Sequence, residues 1–168
     1  MKIFILNIFL ISFSIFFSAS NANAQRTISV SGNNWNVNVS PVTEAGLDYL
    51  GSYESATNQM LLSVSIPFLL GSGKVSVHYE VNTNWNSSLN LSVRRTGNGS
   101  TLCLLCSITG GTAYQSINTF DTELFRINGG IALTSYTNIP IQLMISGISV
   151  ILPATNYQSS IVFTISDL

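Results

Sequence analysis

Apolar and polar residues alternate with a period of two along most of the chain after residue 25. In the segment 35–40, for example, Trp35, Val37 and Val39 fall on one face and polar side chains on the other. Successive side chains of a β-strand point to opposite faces of a sheet, so this period predicts half-buried strands. The predicted strands are 27–30, 35–40, 62–66, 75–82, 89–94, 102–108, 122–127, 131–133, 139–145 and 160–166.

Turn signals separate these segments, and none of the segments has the 3.6-residue period of a helix. The segment 41–58 contains Pro41, two glycines and several acidic residues, and it is predicted as a loop. Short strands divided by glycine-rich turns are typical of an antiparallel β-sandwich of two sheets, of the immunoglobulin-like or pilin-like kind. A closed barrel is the alternative. Glycine-rich turns are predicted at 71–73, 97–100, 110–111, 129–130 and 147.

The first 24 residues have a different pattern, that of a cleavable secretory signal peptide. Lys2 supplies a positive charge, an apolar run follows over 3–17, and Ala22 and Ala24 give the spacing of small residues that signal peptidase accepts. The apolar run is shorter than the roughly 20 residues of a membrane-spanning helix. The chain is therefore predicted to consist of a signal peptide, 1–24, and one β-sandwich domain, 25–168, that spans no membrane after cleavage.

Charged side chains are scarce, and this excludes some partners. The chain has 6 Lys and Arg residues, 7 Asp and Glu residues and a net charge of −1. Nucleic acid and anionic membranes are both recognised through many basic side chains, so neither is an expected electrostatic partner. A nearly neutral domain also has little charge to keep it apart from other copies, and this favours a protein held in an assembly or on a surface.

The two cysteines, Cys103 and Cys106, stand three residues apart among leucines. An oxidising compartment favours a disulfide between them, but residues three apart on a continuous strand face opposite sides. A bridge therefore requires a turn between the two cysteines. Buried free thiols, a redox pair and a metal-binding pair are the alternatives.

Groups able to perform catalysis are few. The single histidine, His78, shares a strand face with Glu80, and Asp121 and Glu123 lie two residues apart on another predicted strand. Each pair is interpreted as a solvated strand face, with a small hydrolase as the weakest hypothesis. Acidic residues in 41–58 offer oxygen ligands without the spacing of a calcium loop, so no metal site, no cofactor and no enzymatic activity are predicted. These acids are Glu44, Asp48 and Glu54.

Aromatic residues suggest a second possible function, carbohydrate binding. Trp35 and Trp85 are each flanked by asparagines, and Trp35 keeps the phase of the core-facing Val37. Trp85 belongs to no clear strand and is expected to be exposed. Exposed rings can stack on sugars while amides bond hydroxyls, so Trp85, Tyr79 and Tyr114 are the candidate glycan-binding residues.

The layout of 25–168 resembles secreted bacterial pilin-like β-sandwiches, the spore coat protein U and fimbrial subunit group. The likeness lies in a signal peptide leading into a strand over 26–31, strands rich in Ser, Thr and Asn, and a terminal strand within 156–166 that follows Tyr157. The closely spaced cysteines depart from the widely spaced pair of fimbrial subunits. The resemblance implies a structural or adhesion subunit of the bacterial cell surface, outside the cytoplasm, whose strand edges pair with other protein subunits. A secreted carbohydrate-binding module is the alternative.

Overall fold

A computed structural model describes residues 25–49, 51–66, 70–82, 84–131 and 133–168. The predicted signal peptide, 1–24, lies outside the described residues. The described part of the chain is all-β and contains no helix. Its strands are β1 (Thr27–Gly32), β2 (Ser52–Glu54), β3 (Met60–Ile66), β4 (Ser72–Val81), β5 (Asn90–Arg95), β6 (Ser100–Thr101), β7 (Ser107–Thr109), β8 (Gln115–Ser116), β9 (Thr122–Asn128), β10 (Thr134–Ser146) and β11 (Ser159–Ser166).

Seven of these strands form one antiparallel sheet around the long strand β10. The path through this sheet is β1-β3-β10-β5-β8, and the short strands β2 and β6 also pair with β10. Strand β10 has room for four partners because β3 and β2 follow each other along it, as do β6 and β5. A register shift between Tyr136 and Ile139 bends β10, and Asn138 there has a φ of 56°.

The other four strands form a second antiparallel sheet in the order β11-β4-β9-β7. Strand β4 is central and pairs with all eight residues of β11. Between Val75 and Ser76 the pairing of β4 with β9 shifts by one residue. The two sheets share one hydrophobic core, and this confirms the coarser prediction of an all-β fold with two antiparallel sheets. Core side chains include Leu62, Val64, Ile66, Val75, Val77, Leu91, Val93, Phe125, Ile127, Tyr136, Ile139, Ile141, Leu143, Ile145 and Phe163.

Two predicted strands are wrong for different reasons. The segment 35–40 keeps its alternation, with Trp35 and Val37 packed against the core, but it is not paired in any ladder. The segment 102–108 is a strand only from Ser107, because a turn at Leu104 and Leu105 interrupts it. An apolar run of this length has no period that distinguishes a strand from an exposed turn.

Smaller corrections concern the ends of β10 and the predicted loop. Residues 131 and 133 precede β10 instead of forming a separate strand, and the predicted strand 139–145 is the second half of β10. Within the predicted loop 41–58, the short strand β2 pairs with the end of β10.

The strand register fixes which loops share an end of the molecule. Ile66 at the end of β3 pairs with Thr134 at the start of β10, and Ser72 at the start of β4 pairs with Asn128 at the end of β9. The described residues 70–71, 102–106, 129–131 and 133 of the connecting loops therefore lie at one end. The connecting residues 82, 84–89, 117–121 and 147–158 lie at the opposite end, where β10 finishes beside β2 and β5.

Candidate functional site

Two long strands lie at the borders of the sheets on the same side of the molecule. Strand β1 pairs with β3 alone, and β11 pairs with β4 alone, among the described strands. Neither strand contains a charged residue or a proline, and all of β1 except Ile28 is exposed. Natural edge strands are usually protected by charges, prolines or bulges, and neither described strand carries a charge or a proline along its length.

The two edges approach each other at the end of the molecule where β1 begins. Arg26 donates from Nη2 to the carbonyl oxygen of Ser72 at 3.0 Å, and its guanidinium also pairs with Asp167 just after β11. This ion pair ties the start of β1 to the end of β11.

A row of polar side chains crosses the outer face of the seven-stranded sheet. Gln142 of β10 is buried, and its Oε1 accepts hydrogen bonds from Nε and Nη2 of Arg94 at 3.0 and 2.8 Å. The Gln142 amide donates to the Glu54 carboxylate at 3.2 Å and to the Ser55 carbonyl at 2.8 Å. The amide therefore links a cation on β5 to an anion on β2.

Tyr114, one of the predicted glycan-binding residues, lies against this row. The Arg94 guanidinium carbon is 4.4 Å from the centre of the Tyr114 ring, which is the geometry of a cation–π contact. Burial raises the pKa of Tyr114, Arg94 opposes the rise and the Glu54 carboxylate adds to it. The Tyr114 hydroxyl is thus kept protonated beside the charged pair.

A shallow cleft of about 280 Å³ adjoins the row and is lined by Thr57, Arg94, Arg95, Thr96 and Thr112. Arg95 is buried, and it donates from Nη2 to Gly110 O at 2.8 Å and from Nη1 to Gly97 O at 3.0 Å. It also bonds the side chain of Asn98. Burial lowers the pKa of Arg95, while the backbone carbonyls satisfy its donors. Arg95 therefore holds two loops in place beside the cleft, and the hydroxyls and Arg94 form the exposed lining.

Sequence reasoning missed this row, because its members come from β2, β5 and β10. Nothing in the local pattern marks Arg94 or Gln142 as neighbours, since register sets their contact. In the sequence, Arg94 is recognisable only as a charged residue on the polar face of a predicted strand.

The other two predicted glycan-binding residues pack against each other on the four-stranded side. The rings of Tyr79 and Trp85 have centroids 5.5 Å apart and an interplanar angle of 48°. Both are packed against the core, and Trp85 Nε1 is buried without a hydrogen-bond partner. Trp85 is therefore half-buried instead of exposed as expected, with its ring tilted against that of Tyr79. Tyr114 contacts Arg94 instead of this pair.

The candidate catalytic residues form pairs other than those the sequence suggested. His78 Nδ1 lies 2.7 Å from Asp121 Oδ1, and Thr164 donates to the other carboxylate oxygen at 3.0 Å. Glu123 instead accepts two hydrogen bonds from Arg126, at 2.6 and 2.9 Å. This contact lowers the pKa of Glu123 and raises that of Arg126. Asp121 and Glu123 are thus engaged with different partners.

The acidic residues of 41–58 are also dispersed. Asp48 accepts hydrogen bonds from the backbone N–H of Tyr49 and Val150 and from the Ser149 hydroxyl, at 2.8, 3.0 and 2.9 Å. These bonds lower the pKa of Asp48, the Tyr49 N–H most strongly. Glu54 lies in the polar row described above. Across the described ranges, no group of three or more His, Cys, Asp or Glu residues is arranged to hold a metal ion.

A disulfide joins Cys103 and Cys106, whose Cα atoms are 5.7 Å apart. The bridge closes the turn between β6 and β7, and Leu105 in this turn has a φ of 65°. The Cys106 sulfur lies 3.3 Å from the hydroxyl of the buried Thr134. The disulfide thus fastens the turn to the start of β10.

Comparison of the chain with protein families, with curated proteins and with solved structures found no significant match. The part of the chain that the structure describes holds no helix long and apolar enough to cross a membrane.

Proposed function

We propose that this protein is a non-enzymatic structural or adhesion subunit of the bacterial cell surface, which associates with other subunits through strand edges. The observation that carries the proposal is the pair of unprotected edges, β1 and β11, on one side of the molecule. Strand addition at such an edge gains main-chain hydrogen bonds along its whole length.

The finer classification belongs to the same proposal. Two antiparallel sheets around one core are compatible with an immunoglobulin-like or pilin-like sandwich. The signal-like sequence of 1–24 and the disulfide both favour a location outside the cytoplasm, because disulfides persist in oxidising compartments. The low net charge of −1 removes long-range repulsion between copies.

A matched set of serine-to-lysine variants tests this proposal. The double variant Ser29→Lys/Ser160→Lys places one exposed charge on each edge, whereas Ser135→Lys places an exposed charge on the interior strand β10. Charge on an edge opposes pairing with another chain. Light scattering coupled to size exclusion, with electron microscopy of concentrated samples, should show assemblies for the wild type and Ser135→Lys and monomers for the double variant.

Two outcomes would count against edge association. One is a wild type that stays monomeric at every concentration and never associates with cells or filaments. The other is a double variant that assembles as well as Ser135→Lys does.

The polar row and its cleft favour a second candidate, a secreted carbohydrate-binding module. Arg94, Glu54 and the threonines of the cleft offer donors and acceptors to sugar hydroxyls beside the Tyr114 ring. A glycan array should then show binding by the wild type, loss of it in Arg94→Ala and retention in Arg126→Ala, which removes an exposed arginine from the other sheet. Trp85→Ala tests the Tyr79–Trp85 pair in the same way. The absence of binding to every glycan would rule the module out.

A further inference from the structure

Three loops form a strongly apolar end of the molecule. We call the described residues 70–71, 102–106, 129–131 and 133 the leucine end. Each of its six large aliphatic side chains is at least 60% exposed. Monomeric domains rarely expose so many aliphatic side chains together unless they mark an interaction surface. The six are Leu70, Leu102, Leu104, Leu105, Ile131 and Leu133.

Specific contacts hold these loops in place. The N–H of Gly130 donates to the Cys106 sulfur at 3.1 Å, and the N–H of Leu70 donates to Gly130 O at 3.0 Å. A Cβ on Gly130 would overlap the Leu104 carbonyl oxygen, and a Cβ on Gly129 would overlap that of Gly71. The glycine pair therefore allows the loops to pack backbone to backbone, so the leucines project from a fixed platform.

The sequences of these loops contain no ionisable group other than the bonded cysteines. They read Pro-Phe-Leu-Leu-Gly over 67–71, Leu-Cys-Leu-Leu-Cys over 102–106 and Gly-Gly-Ile-Ala-Leu over 129–133. Burying the leucine end would therefore remove no charge of its described residues from solvent. At the opposite end, exposed apolar residues stand near carboxylates: Leu47 is next to Asp48, and Phe120 is next to Asp121.

The first described residues of the chain lie beside the leucine end. Thr27 at the start of β1 pairs with Ser65 near the end of β3, and Arg26 donates to Ser72 O. The Arg26–Asp167 ion pair therefore lies beside the three loops.

From these observations we propose that the leucine end inserts into the surface of a lipid bilayer. The side chains are all aliphatic and project separately from tight turns, a shape that suits burial among acyl chains. The central residues of protein interfaces are instead enriched in Tyr, Trp and Arg, which fill pockets on the partner. Insertion takes the leucines into the boundary between headgroups and acyl chains while the two sheets remain outside. Attraction comes from apolar burial, and so it does not need anionic lipid.

Flotation with phosphatidylcholine vesicles tests the proposal on the full chain and on residues 25–168. Every described strand and core residue lies within 25–168, so this segment contains the complete described fold. Both proteins should float with the vesicles, and about 1 M salt should leave the bound fraction unchanged, because the loops carry no charge.

A matched pair of triple variants assigns the binding to one end. Leu102→Ser/Leu104→Ser/Leu105→Ser removes three exposed apolar side chains from the leucine end, and Phe120→Ser/Val150→Ser/Ile151→Ser removes three from the opposite end. The first should lower the partition coefficient by at least about tenfold, and the second by less than about twofold, since the bound apolar area sets the affinity. Circular dichroism melts verify that both variants fold.

Several results would overturn the proposal. If only the full chain floats, the leader alone binds lipid. If both triple variants lose binding equally, the leucine end contributes no more to vesicle binding than the opposite end does. Binding that needs anionic vesicles and disappears in salt would indicate electrostatic attraction instead of apolar insertion. If 25–168 never floats but forms a dimer that the first triple variant abolishes, the leucine end is an interface between two copies.

Discussion

The loops at the two ends of the molecule are held together by different kinds of contact. At the opposite end, Asp48 accepts hydrogen bonds from Ser149 and Val150 of another loop, and Tyr157 donates to the Pro153 carbonyl within its own loop. At the leucine end, close backbone packing at Gly130 and the hydrogen bonds of Gly130 with Cys106 and Leu70 join the loops, and a disulfide closes one loop. Both ends expose apolar side chains, but those of the opposite end lie among loops that contain Asp48 and Asp121, whereas the described loops of the leucine end contain no ionisable group except the bonded cysteines.

Removing the close backbone contact at the leucine end should have the largest effect. Gly130→Ala places a methyl group on the Leu104 carbonyl oxygen and should lower the free energy of unfolding by about 3 kcal/mol. Gly51→Ala is the matched control near the other end, because a Cβ there meets nothing within 4 Å, and it should change stability by less than about 0.5 kcal/mol. Urea unfolding measures both, and equal effects would contradict the difference in packing.

Opening the disulfide should have the next largest effect. Cys103→Ser/Cys106→Ser releases a loop with a sequence separation of 3, and such a short loop gives a stabilisation of about 2 kcal/mol. Urea unfolding of this variant should match that of the wild type with a reducing agent. A variant as stable as the oxidised wild type would show that packing at Gly130 alone holds the turn.

A smaller change of opposite sign is expected at Leu105. Its φ of 65° is unfavourable for leucine and is better tolerated by asparagine, so Leu105→Asn should raise the free energy of unfolding by about 0.5 kcal/mol. The same substitution removes one apolar side chain from the leucine end and should weaken vesicle binding. Greater stability combined with unchanged vesicle binding would show that Leu105 does not contribute to the proposed insertion.

The smallest effect is expected from pH, and only at the opposite end. The folded pKa of Asp48 is below its unfolded value, so its stabilising contribution is present above about pH 4 and is lost as pH falls through the folded pKa. Hydrogen exchange of the Val150 amide, corrected for the intrinsic pH dependence, should therefore become faster in acid, whereas that of the Gly130 amide, bonded to sulfur, should not. Asp48→Asn should remove the acid-dependent change at Val150.

The sequence predicts a strand well where alternation and pairing coincide. Strands β3, β4, β5 and β11 follow the expected segments closely, because their apolar residues face a common core. The segment 35–40 has the same alternation and is unpaired, since pairing depends on distant residues and not on the local pattern.

The candidate site and the leucine end could be predicted only in part. Leucines around Cys103 and Cys106 suggested a buried strand, because an apolar run is read as core, whereas the turn at Leu105 turns them outwards. Strand register brings Arg94 into contact with Gln142, and the packing of one loop on another brings Gly130 close to Leu104. These contacts are tertiary and leave no local signal.

Site-specific quenching is the most direct test of the difference between the two ends. Leu105→Trp and Ile151→Trp each place one additional indole at an exposed position, the first on the leucine end and the second on the opposite end. With vesicles of brominated phosphatidylcholine, we expect the fluorescence added at residue 105 to be quenched and that added at residue 151 to be unchanged, after subtraction of the wild-type signal. Equal quenching at both positions, or quenching at 151 alone, would contradict the account.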